Sequence, residues 1–201
     1  MTVPEAIPDP RSGSDDLYIL FTSGTTSGTP KAVVGSHRQT LRRLHWFAQE
    51  FPGTSAVIAR RTPLTFVDGV HELLSILCQP HSKLFSISND GDLAEQLLQS
   101  PCTRATLLPS QLEQILSVMD NLEAKDCSLE MLLVSGECCS VSLLNDFLAR
   151  PYFGRTQLLN FYGQTETVGD CCWARLTGTN ADKVVRNNIP MGRPLPGVRI
   201  E

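Results

Sequence analysis

The 201-residue chain carries 17 lysines and arginines against 21 aspartates and glutamates, a net charge of −4, and 41% of its residues are hydrophobic. Its basic residues form no block, so the sequence offers no broad cationic surface to a nucleic acid and excludes that class of partner. No apolar run approaches the roughly 20 residues that cross a bilayer, and the N-terminus lacks the pattern of a signal peptide. These features predict a cytoplasmic protein with a sizeable core and no membrane span.

The chain has seven cysteines, an odd number, and four of them form the adjacent pairs Cys138-Cys139 and Cys171-Cys172. Neither pair has the two-residue gap that is usual in zinc sites and redox-active dithiols. Because free cysteine is often buried, we expect reduced and partly buried thiols.

Residues 1–16 contain three prolines, a pair of aspartates and Ser-Gly-Ser, which predicts a flexible lead-in. From Leu17 onward, apolar runs of strand length alternate with segments of helical period, which is typical of an α/β domain with a mostly parallel sheet flanked by helices. The predicted strands are Leu17–Phe21, Ala56–Ala59, Lys83–Ile87, Ala105–Leu108, Met131–Val134 and Gln157–Phe161. The predicted helices are Gln39–Phe51, Gly69–Cys78, Leu93–Leu98, Ser110–Met119 and Val141–Leu148.

Two local signals refine the helices. In the first helix, the apolar face is predicted to consist of Leu41, Leu44, Phe47 and Ala48. Asp92 and Ser110 stand where an N-cap is expected.

After Asp170 the chain becomes strand-like over Cys171–Leu176 and then rich in glycine, asparagine and proline, before a β-like run at Val198-Arg199-Ile200. A strand that ends at Glu201 without a partner would leave backbone groups unpaired. We therefore expect the sequence to be truncated.

The first predicted strand leads into Thr22-Ser23-Gly24-Thr25-Thr26-Ser27-Gly28-Thr29-Pro30-Lys31, ten residues of which six carry hydroxyls and two are glycine. Glycines allow backbone N–H groups to converge, hydroxyls add donors and lysine adds a positive charge, a combination that suits polyphosphate. A mobile Ser/Gly linker has a similar composition, but the apolar residues on both sides favour a phosphate loop. The loop is not of the Walker type, because its lysine follows proline and precedes alanine.

The segments Phe21–Thr26 and Pro30–Val33 resemble the phosphate loop of the adenylate-forming superfamily, which includes acyl-CoA synthetases, nonribosomal peptide synthetase adenylation domains and luciferases. The family pattern is one residue shorter, so Ser27 is an insertion. The resemblance implies contacts with ATP or AMP from Thr22, Ser23, Gly24, Thr25, Thr26, Gly28 and Lys31.

A second segment, Asn160-Phe161-Tyr162-Gly163-Gln164-Thr165-Glu166-Thr167, is similar to the family's Asn-x-Tyr-Gly-x-Thr-Glu motif. It offers an aromatic face, a glycine, a hydroxyl and a carboxylate suited to Mg²⁺. The resemblance implies that Tyr162 packs on adenine beside Asn160 and Gly163, that Thr165 contacts the α-phosphate, and that Glu166 holds Mg²⁺. Taken alone, such a segment is more often an ordinary turn, but both loops occur in the family's order.

Two weaker matches extend the resemblance over about residues 17–201. Ser135-Gly136-Glu137 is similar to the family's Gly-Gly-Glu turn beside the adenine, which implies roles for Gly136 and Glu137. The passage Gly192-Arg193-Pro194 is similar to one that precedes the family's later motifs. The resemblance implies the central part of the large N-terminal domain of an adenylate-forming enzyme, with 17–201 a partial adenylation domain truncated at both ends and inactive by itself.

The position where amino-acid-activating relatives carry an amine-binding aspartate aligns with Val67, or with Asp68 if the register moves by one residue. A carboxylate there can pair with an ammonium, whereas valine cannot. The resemblance also places His71, Phe161, Gly169 and Asp170 along the acid pocket. For His71 and Asp170, an exposed helix residue and an exposed turn residue are equally good interpretations.

The resemblance implies ATP-dependent activation of a small carboxylic or amino acid as its adenylate, with Lys31, Thr165 and Glu166 as catalytic residues. The thiol acceptor would be coenzyme A or a carrier protein. Two alternatives stay open: an inactive module that binds nucleotide or a partner, and, on weaker grounds, a P-loop kinase.

Overall fold

The structure, a computed structural model, describes residues 15–24, 28–52, 55–88, 90–119, 127–178 and 189–200. Its nine described strands are β1 Asp16–Thr22, β2 Lys31–Ser36, β3 Val57–Arg60, β4 Lys83–Ser86, β5 Arg104–Leu107, β6 Met131–Val134, β7 Gln157–Gln164, β8 Gly169–Leu176 and β9 Arg193–Pro194. The described α-helices are α1 His37–Glu50, α2 Val67–Cys78, α3 Leu93–Leu98, α4 Pro109–Val118 and α5 Val141–Leu148. The predicted lead-in lies outside the described residues up to residue 14, and its last residue, Asp16, begins β1.

Seven strands form one sheet in the order β4-β3-β5-β6-β7-β8-β9, and β1 and β2 pair separately. From β4 to β7 the neighbours are parallel, whereas β8 and β9 are antiparallel additions. The predicted α/β fold with a mainly parallel sheet is confirmed.

Alternate residues of the central strands serve two different cores, as the pleat of a strand requires. Leu132 and Leu158 pack into one cluster with residues of α3, α4 and α5. Leu133 and Leu159 point the other way, into a cluster with Phe47 of α1. The sheet is therefore covered by helices on both faces.

Helix α1 begins at a capping box. The Ser36 hydroxyl accepts a hydrogen bond from the Gln39 N–H, and the Gln39 Oε1 accepts one from the Ser36 N–H. Its buried face is rotated from the predicted one. Leu41 is 53% exposed, and Thr40 and Arg43 are buried beside Leu44 and Phe47 instead. The prediction of Leu41 as a core residue was wrong, because apolar spacing cannot anticipate a buried arginine.

The two predicted N-caps had different outcomes. Asp92 accepts the Glu95 N–H and caps α3, as predicted. Ser110 is not a cap, since α4 begins at Pro109 and its N-cap is Leu108. Proline suits the first helical position because it has no N–H to satisfy there, so the helix starts one residue earlier than its polar residue suggested.

Strand boundaries differ most around the loops. β2 was not predicted as a strand; it pairs antiparallel with β1, Ile19 opposite Val34, and leaves only Gly35 buried. β7 continues to Gln164, three residues past its predicted end. The run at 198–200 belongs to no strand, and the short pairing with β8 is made by Arg193 and Pro194 instead.

All seven cysteines lie in the described part of the chain and are free. Cys102, Cys139 and Cys172 are buried, and burial raises the pKa of Cys139 to about 11. The longest described helix, α1, has 14 residues, and none of the described helices combines the length and apolar character of a membrane span.

Candidate active site

A cleft of about 490 Å³ lies where the carboxyl ends of the parallel strands meet the β1–β2 hairpin. Clefts at the carboxyl ends of strands are the usual ligand sites of α/β folds, and this volume suits a ligand of nucleotide size. Among the residues that line it are Thr22, Ser23, Gly24, Lys31, Val67, Asp68, Gly136, Gly163, Thr165, Glu166, Gly169 and Asp170.

The hydroxyl-rich segment that runs from Thr22 to Lys31 connects β1 to β2, and Lys31 lies opposite Thr22 at the base of this hairpin loop. Gly24 has φ +61°, and a Cβ there would lie 1.8 Å from the Thr29 carbonyl oxygen, so only glycine permits this turn. The Gly28 N–H donates to the Gly24 carbonyl at 2.8 Å. Gly28 itself is not among the cleft-lining residues, and the predicted contacts Thr25 and Thr26, with the inserted Ser27, lie outside the described residues.

The segment from Asn160 to Thr167, here called the tyrosine segment, is mostly strand, and its turn begins only at Thr165. Gly163 pairs with Asp170 of β8, and a Cβ on Gly163 would lie 2.0 Å from the Gly169 carbonyl oxygen. A 3₁₀ turn, Thr165–Thr167, then reverses the chain. This close hairpin directs Thr165 and Glu166 into the cleft.

The side chains of the tyrosine segment differ in access. Glu166 is exposed and makes no ion pair with any described residue, so its carboxylate is available. Tyr162 is 50% exposed and Asn160 is buried, and neither is among the residues that line the cleft.

Gly136, the second residue after β6, lines the cleft at φ +84°. Glu137 does not line it, since its carboxylate accepts hydrogen bonds from the Ser110 N–H at 3.0 Å and the Ser110 hydroxyl at 3.1 Å. Glu137 thus fastens this turn to the start of α4.

The two loops are brought together by the fold. Thr22, Ser23, Gly24 and Lys31 line the same cleft as Thr165 and Glu166, and strand β2 contacts the 3₁₀ turn. Both loops thus line one cleft, and their joint contact with one nucleotide stays a prediction.

A smaller inner pocket of about 50 Å³ adjoins the cleft, with which it shares the lining residues Asp68, Thr106, Ser135 and Asp170. The predicted substrate residues His71 and Phe161 line only this inner pocket, whereas Val67 and Gly169 line only the outer cleft. Further lining residues that the sequence analysis did not identify are Arg43, Leu44, Phe47, Ile58, Glu72, Ser75, Gln79, Arg104 and Leu133.

Asp170 forms a buried ion pair with Arg43 of α1. Both the Nε and an Nη of Arg43 donate to the Oδ2 of Asp170, the Nε at 3.0 Å. The Arg43 guanidinium also lies 4.9 Å from the Phe161 ring centre and 5.2 Å from that of Phe47, within cation–π range. Nothing in the spacing of α1 indicated this, because an arginine on a helix is ordinarily at the surface.

Asp68, His71 and Asp170 converge, with one ligand atom from each lying within 4.8 Å of the others. Burial raises the pKa of Asp68 to about 7; Asp170 and Glu72 contribute, while Arg43 and a hydrogen bond from Ser135 oppose the rise. Burial also lowers the pKa of His71 to about 4, with Arg43 adding to the effect. Neither His71 ring nitrogen has a hydrogen-bond partner among the described residues.

Glu72 is the structural carboxylate of the pocket. It accepts hydrogen bonds from the Thr62 hydroxyl at 2.6 Å, from the Thr62 and Arg61 N–H groups and from Arg60. These bonds fix the segment between β3 and α2 against the helix. Asp68 and His71 lie on the same helix. Both carboxylate oxygens of Glu72 therefore already accept hydrogen bonds within the protein.

The sequence profile of the AMP-binding enzyme family matches residues 2–201. The chain belongs to this family. The resemblance inferred from the two loops is confirmed, and the AMP-binding enzyme family fits the predicted ATP or AMP cofactor. Mg²⁺ at Glu166 and the individual site residues stay predictions.

Among relatives of this AMP-binding chain, the β-alanyl-bioamine nonribosomal peptide synthetase ebony of Drosophila melanogaster is 34% identical over 204 residues, covering 92% of the chain and 22% of that protein. Tyrocidine synthase 3 of Brevibacillus parabrevis is 28% identical over 195 residues, covering 94% of the chain and 3% of that protein. The chain thus spans about a fifth or less of the length of these relatives, and its relationship is to nonribosomal peptide synthetases.

Two solved structures share the fold. The adenylation domain AlmE of Vibrio cholerae, in complex with glycyl-adenosine-5′-phosphate, matches with a TM-score of 0.75 at 21% identity, over 91% of this chain and 34% of that one. Holo-PA1221, which contains adenylation and PCP domains, matches with a TM-score of 0.76 at 24% identity, over 95% of this chain and 32% of that one.

Proposed function

We propose that the protein carrying this chain activates a small amino acid with ATP, forming an aminoacyl-adenylate and pyrophosphate. The observation that carries the proposal is the adjacency of the two cavities. The cleft lined by the phosphate-loop residues and Glu166 shares Asp68, Thr106, Ser135 and Asp170 with an inner pocket lined by both apolar and charged residues.

In this reaction an oxygen of the substrate carboxylate attacks the α-phosphorus of ATP, a new P–O bond forms, and the bond to the β-phosphate breaks with departure of pyrophosphate. Both reactants are anionic, so positive charge and N–H donors must face the phosphates. The exposed ammonium of Lys31, the loop residues Ser23 and Gly24, and the Thr165 hydroxyl all line the cleft and can supply these groups.

Glu166 fits a Mg²⁺ ligand, because its carboxylate lines the cleft and no described residue neutralises it. When bound, Mg²⁺ would neutralise charge on the phosphates. Tyr162 is half exposed on the strand before this turn and does not line the cleft, so its role as the aromatic face for adenine rests on the resemblance alone.

The substrate amine is assigned to Asp68, His71 and Asp170. An ammonium has three N–H donors, and acceptors at hydrogen-bond distance around it stand about 4.7 Å apart in a tetrahedral arrangement. One ligand atom from each of the three residues lies within 4.8 Å of the others. The neutral ring of His71, which has no partner among the described residues, gains one in this arrangement.

The size of the inner pocket favours a short substrate. A volume of about 50 Å³ corresponds to roughly three to five water molecules, which is the space of a small amino acid. The name of the Drosophila relative refers to a β-alanyl group and AlmE holds a glycyl adenylate, and both of these acyl groups are small.

PA1221 joins its adenylation domain to a PCP domain, so a carrier-protein thiol is the favoured acceptor over coenzyme A.

The test is amino-acid-dependent ATP–pyrophosphate exchange by the full-length gene product, across glycine, β-alanine, other amino acids and simple carboxylic acids. We expect exchange with small amino acids. Lys31→Ala and Glu166→Ala should each lower its rate by about 100-fold or more, because each removes a group that faces the phosphates.

Lys83→Ala and Glu113→Ala serve as matched controls, since both side chains are exposed and neither lines the cleft or the inner pocket. Near-normal exchange in the Lys31 and Glu166 variants would contradict the assignment. AMP binding without exchange for any acid would instead favour the inactive nucleotide-binding module, and phosphate transfer without AMP formation would favour a kinase.

A further inference from the structure

Arg104 is a buried cation that the proposed amine site does not use. It lies on β5, is 7% exposed and lines the inner pocket. Its guanidinium lies 4.9 Å from the centre of the Phe47 ring, and within the described part of the chain no carboxylate or hydrogen-bond acceptor is paired with it. Burial of a charged group is costly unless an opposite charge compensates it.

The other buried charges of the pocket are already matched. Arg43 is paired with Asp170, and Glu72 is held by Arg60 and Thr62. Asp68 faces the proposed substrate amine at the mouth of the inner pocket. Among the described residues that line the inner pocket, Arg104 is therefore the one cation without an anionic partner.

The position of Arg104 separates it from the reacting carboxylate. Thr106, two residues further along β5, lines both the cleft and the inner pocket, whereas Arg104 lines the inner pocket alone. Two residues of strand correspond to roughly 6–7 Å. The carboxylate that attacks ATP must lie at the cleft, so it does not supply the partner of Arg104.

We propose that Arg104 binds a second anionic group on the substrate, and that the preferred substrate is a small amino acid whose side chain ends in a carboxylate. This inference rests on the proposed function. The ammonium lies against Asp68, His71 and Asp170, the reacting carboxylate faces the nucleotide, and the distal carboxylate accepts hydrogen bonds from Arg104. A planar guanidinium suits this task because it can donate two parallel bonds to one carboxylate.

A purely structural role for Arg104, in which it packs on Phe47 alone, makes a different prediction. Packing would affect the activation of all substrates alike, whereas recognition of a second carboxylate affects only substrates that carry one. The discriminating measurement is therefore a ratio between matched substrates.

The experiment compares aspartate with asparagine, and glutamate with glutamine, in ATP–pyrophosphate exchange by the full-length gene product, with β-alanine as the acid that lacks a second carboxylate. We expect the wild type to favour the acidic member of a pair by at least tenfold in kcat/KM. Arg104→Met should remove that preference, mainly through a higher KM for the acidic member, and Arg104→Lys should retain part of it.

Preference of the wild type for the amides or for β-alanine would overturn the inference and leave the proposed function standing. So would an Arg104→Met variant that lowers exchange equally for all of these substrates. If the methionine variant does not fold, Arg104→Lys carries the test, and an acidic preference equal to that of the wild type would overturn the inference. Absence of exchange with every acid would remove the proposed function and this inference with it.

Discussion

At the scale of single residues, the inner pocket concentrates charges whose behaviour depends on their surroundings. Asp68 and His71, both on α2, meet Asp170 of β8 beside Arg43. Burial shifts the pKa of Asp68 upward to about 7 and that of His71 downward to about 4. Each shift disfavours the charged form of its group and gives a measurable pH dependence.

For Asp68, we expect the KM for the amino acid to fall roughly tenfold as pH rises from 6 to 8. Only the ionised carboxylate attracts an ammonium, and a group with a pKa of about 7 goes from about one tenth to about nine tenths ionised over that range. Asp170 and Glu72 set this pKa together with burial, and Arg43 opposes them. Exchange kinetics at several pH values measure the effect.

The control is Asp68→Asn, which should have a high KM with a flat pH profile. The same slope in this variant would show that another group titrates.

His71 should contribute a loss of stability on acidification, on the order of 2 kcal/mol between pH 7 and pH 5, whereas the raised pKa of Asp68 contributes in the opposite direction. In the unfolded chain a histidine takes up a proton near pH 6.5, whereas the folded His71 stays neutral to about pH 4. Protonation therefore favours the unfolded state over that window. Urea unfolding of the wild type and of His71→Gln at the two pH values isolates this contribution as the difference between the two proteins.

His71→Gln should lose less stability on acidification, and His45→Gln, at an exposed position of α1, should behave as the wild type. Equal pH dependence of all three proteins would contradict the assignment of this effect to His71.

At the scale of elements, two hairpins form the cleft. The β1–β2 hairpin carries the phosphate loop, and the β7–β8 hairpin carries Thr165 and Glu166. The second depends on the close approach of Gly163 to the Gly169 carbonyl, where a Cβ would lie 2.0 Å from the oxygen. Val168, at φ +59° and buried, holds a conformation that β-branched residues rarely adopt, so this reversal is tightly constrained.

We expect Gly163→Ala to destabilise the protein by about 2 kcal/mol or more and to lower exchange activity, because the backbone must separate to admit the methyl group. Gly178→Ala is the matched control, since a Cβ at Gly178 would meet nothing within 4 Å. Denaturant unfolding of both variants measures the difference. A Gly163 variant as stable as its control would contradict the tight packing of the two strands.

At the scale of the whole molecule, the Arg43–Asp170 pair joins α1 to β8 across 127 positions of sequence. The Arg43 guanidinium lies near the aromatic rings of Trp46 and Phe47 on α1 and of Phe161 on β7. The same pair shapes the inner pocket, so packing and substrate recognition use the same residues.

Arg43→Met should cost about 3–5 kcal/mol of unfolding free energy, because it leaves the carboxylate of Asp170 buried without a partner. The double variant Arg43→Met/Asp170→Asn should recover part of the loss, since no buried charge of this pair then remains unpaired. Glu50→Gln is the control: it removes the exposed pair with Arg193, and such pairs contribute about 1 kcal/mol or less. Equal losses for the buried and exposed pairs would contradict this account.

The local sequence determined much of the fold. Alternating apolar runs and helical periods predicted the parallel strands and all five described helices, and β6, α3 and α5 have the bounds that their patterns predicted. These elements depend on periodicity, which a sequence shows directly. The two loops were also evident, because glycines and hydroxyls at fixed spacing are local features.

The tertiary structure decided what depends on distant partners. Strand β2 was missed because its pairing with β1, rather than burial, makes it a strand. Arg43, Glu72 and Arg104 were missed because a charged residue becomes a pocket residue only when remote segments enclose it. The residue types and local periods of the chain thus set its elements and loops, while long-range contacts set which charges are buried and paired, since burial energy depends on the whole environment of a group.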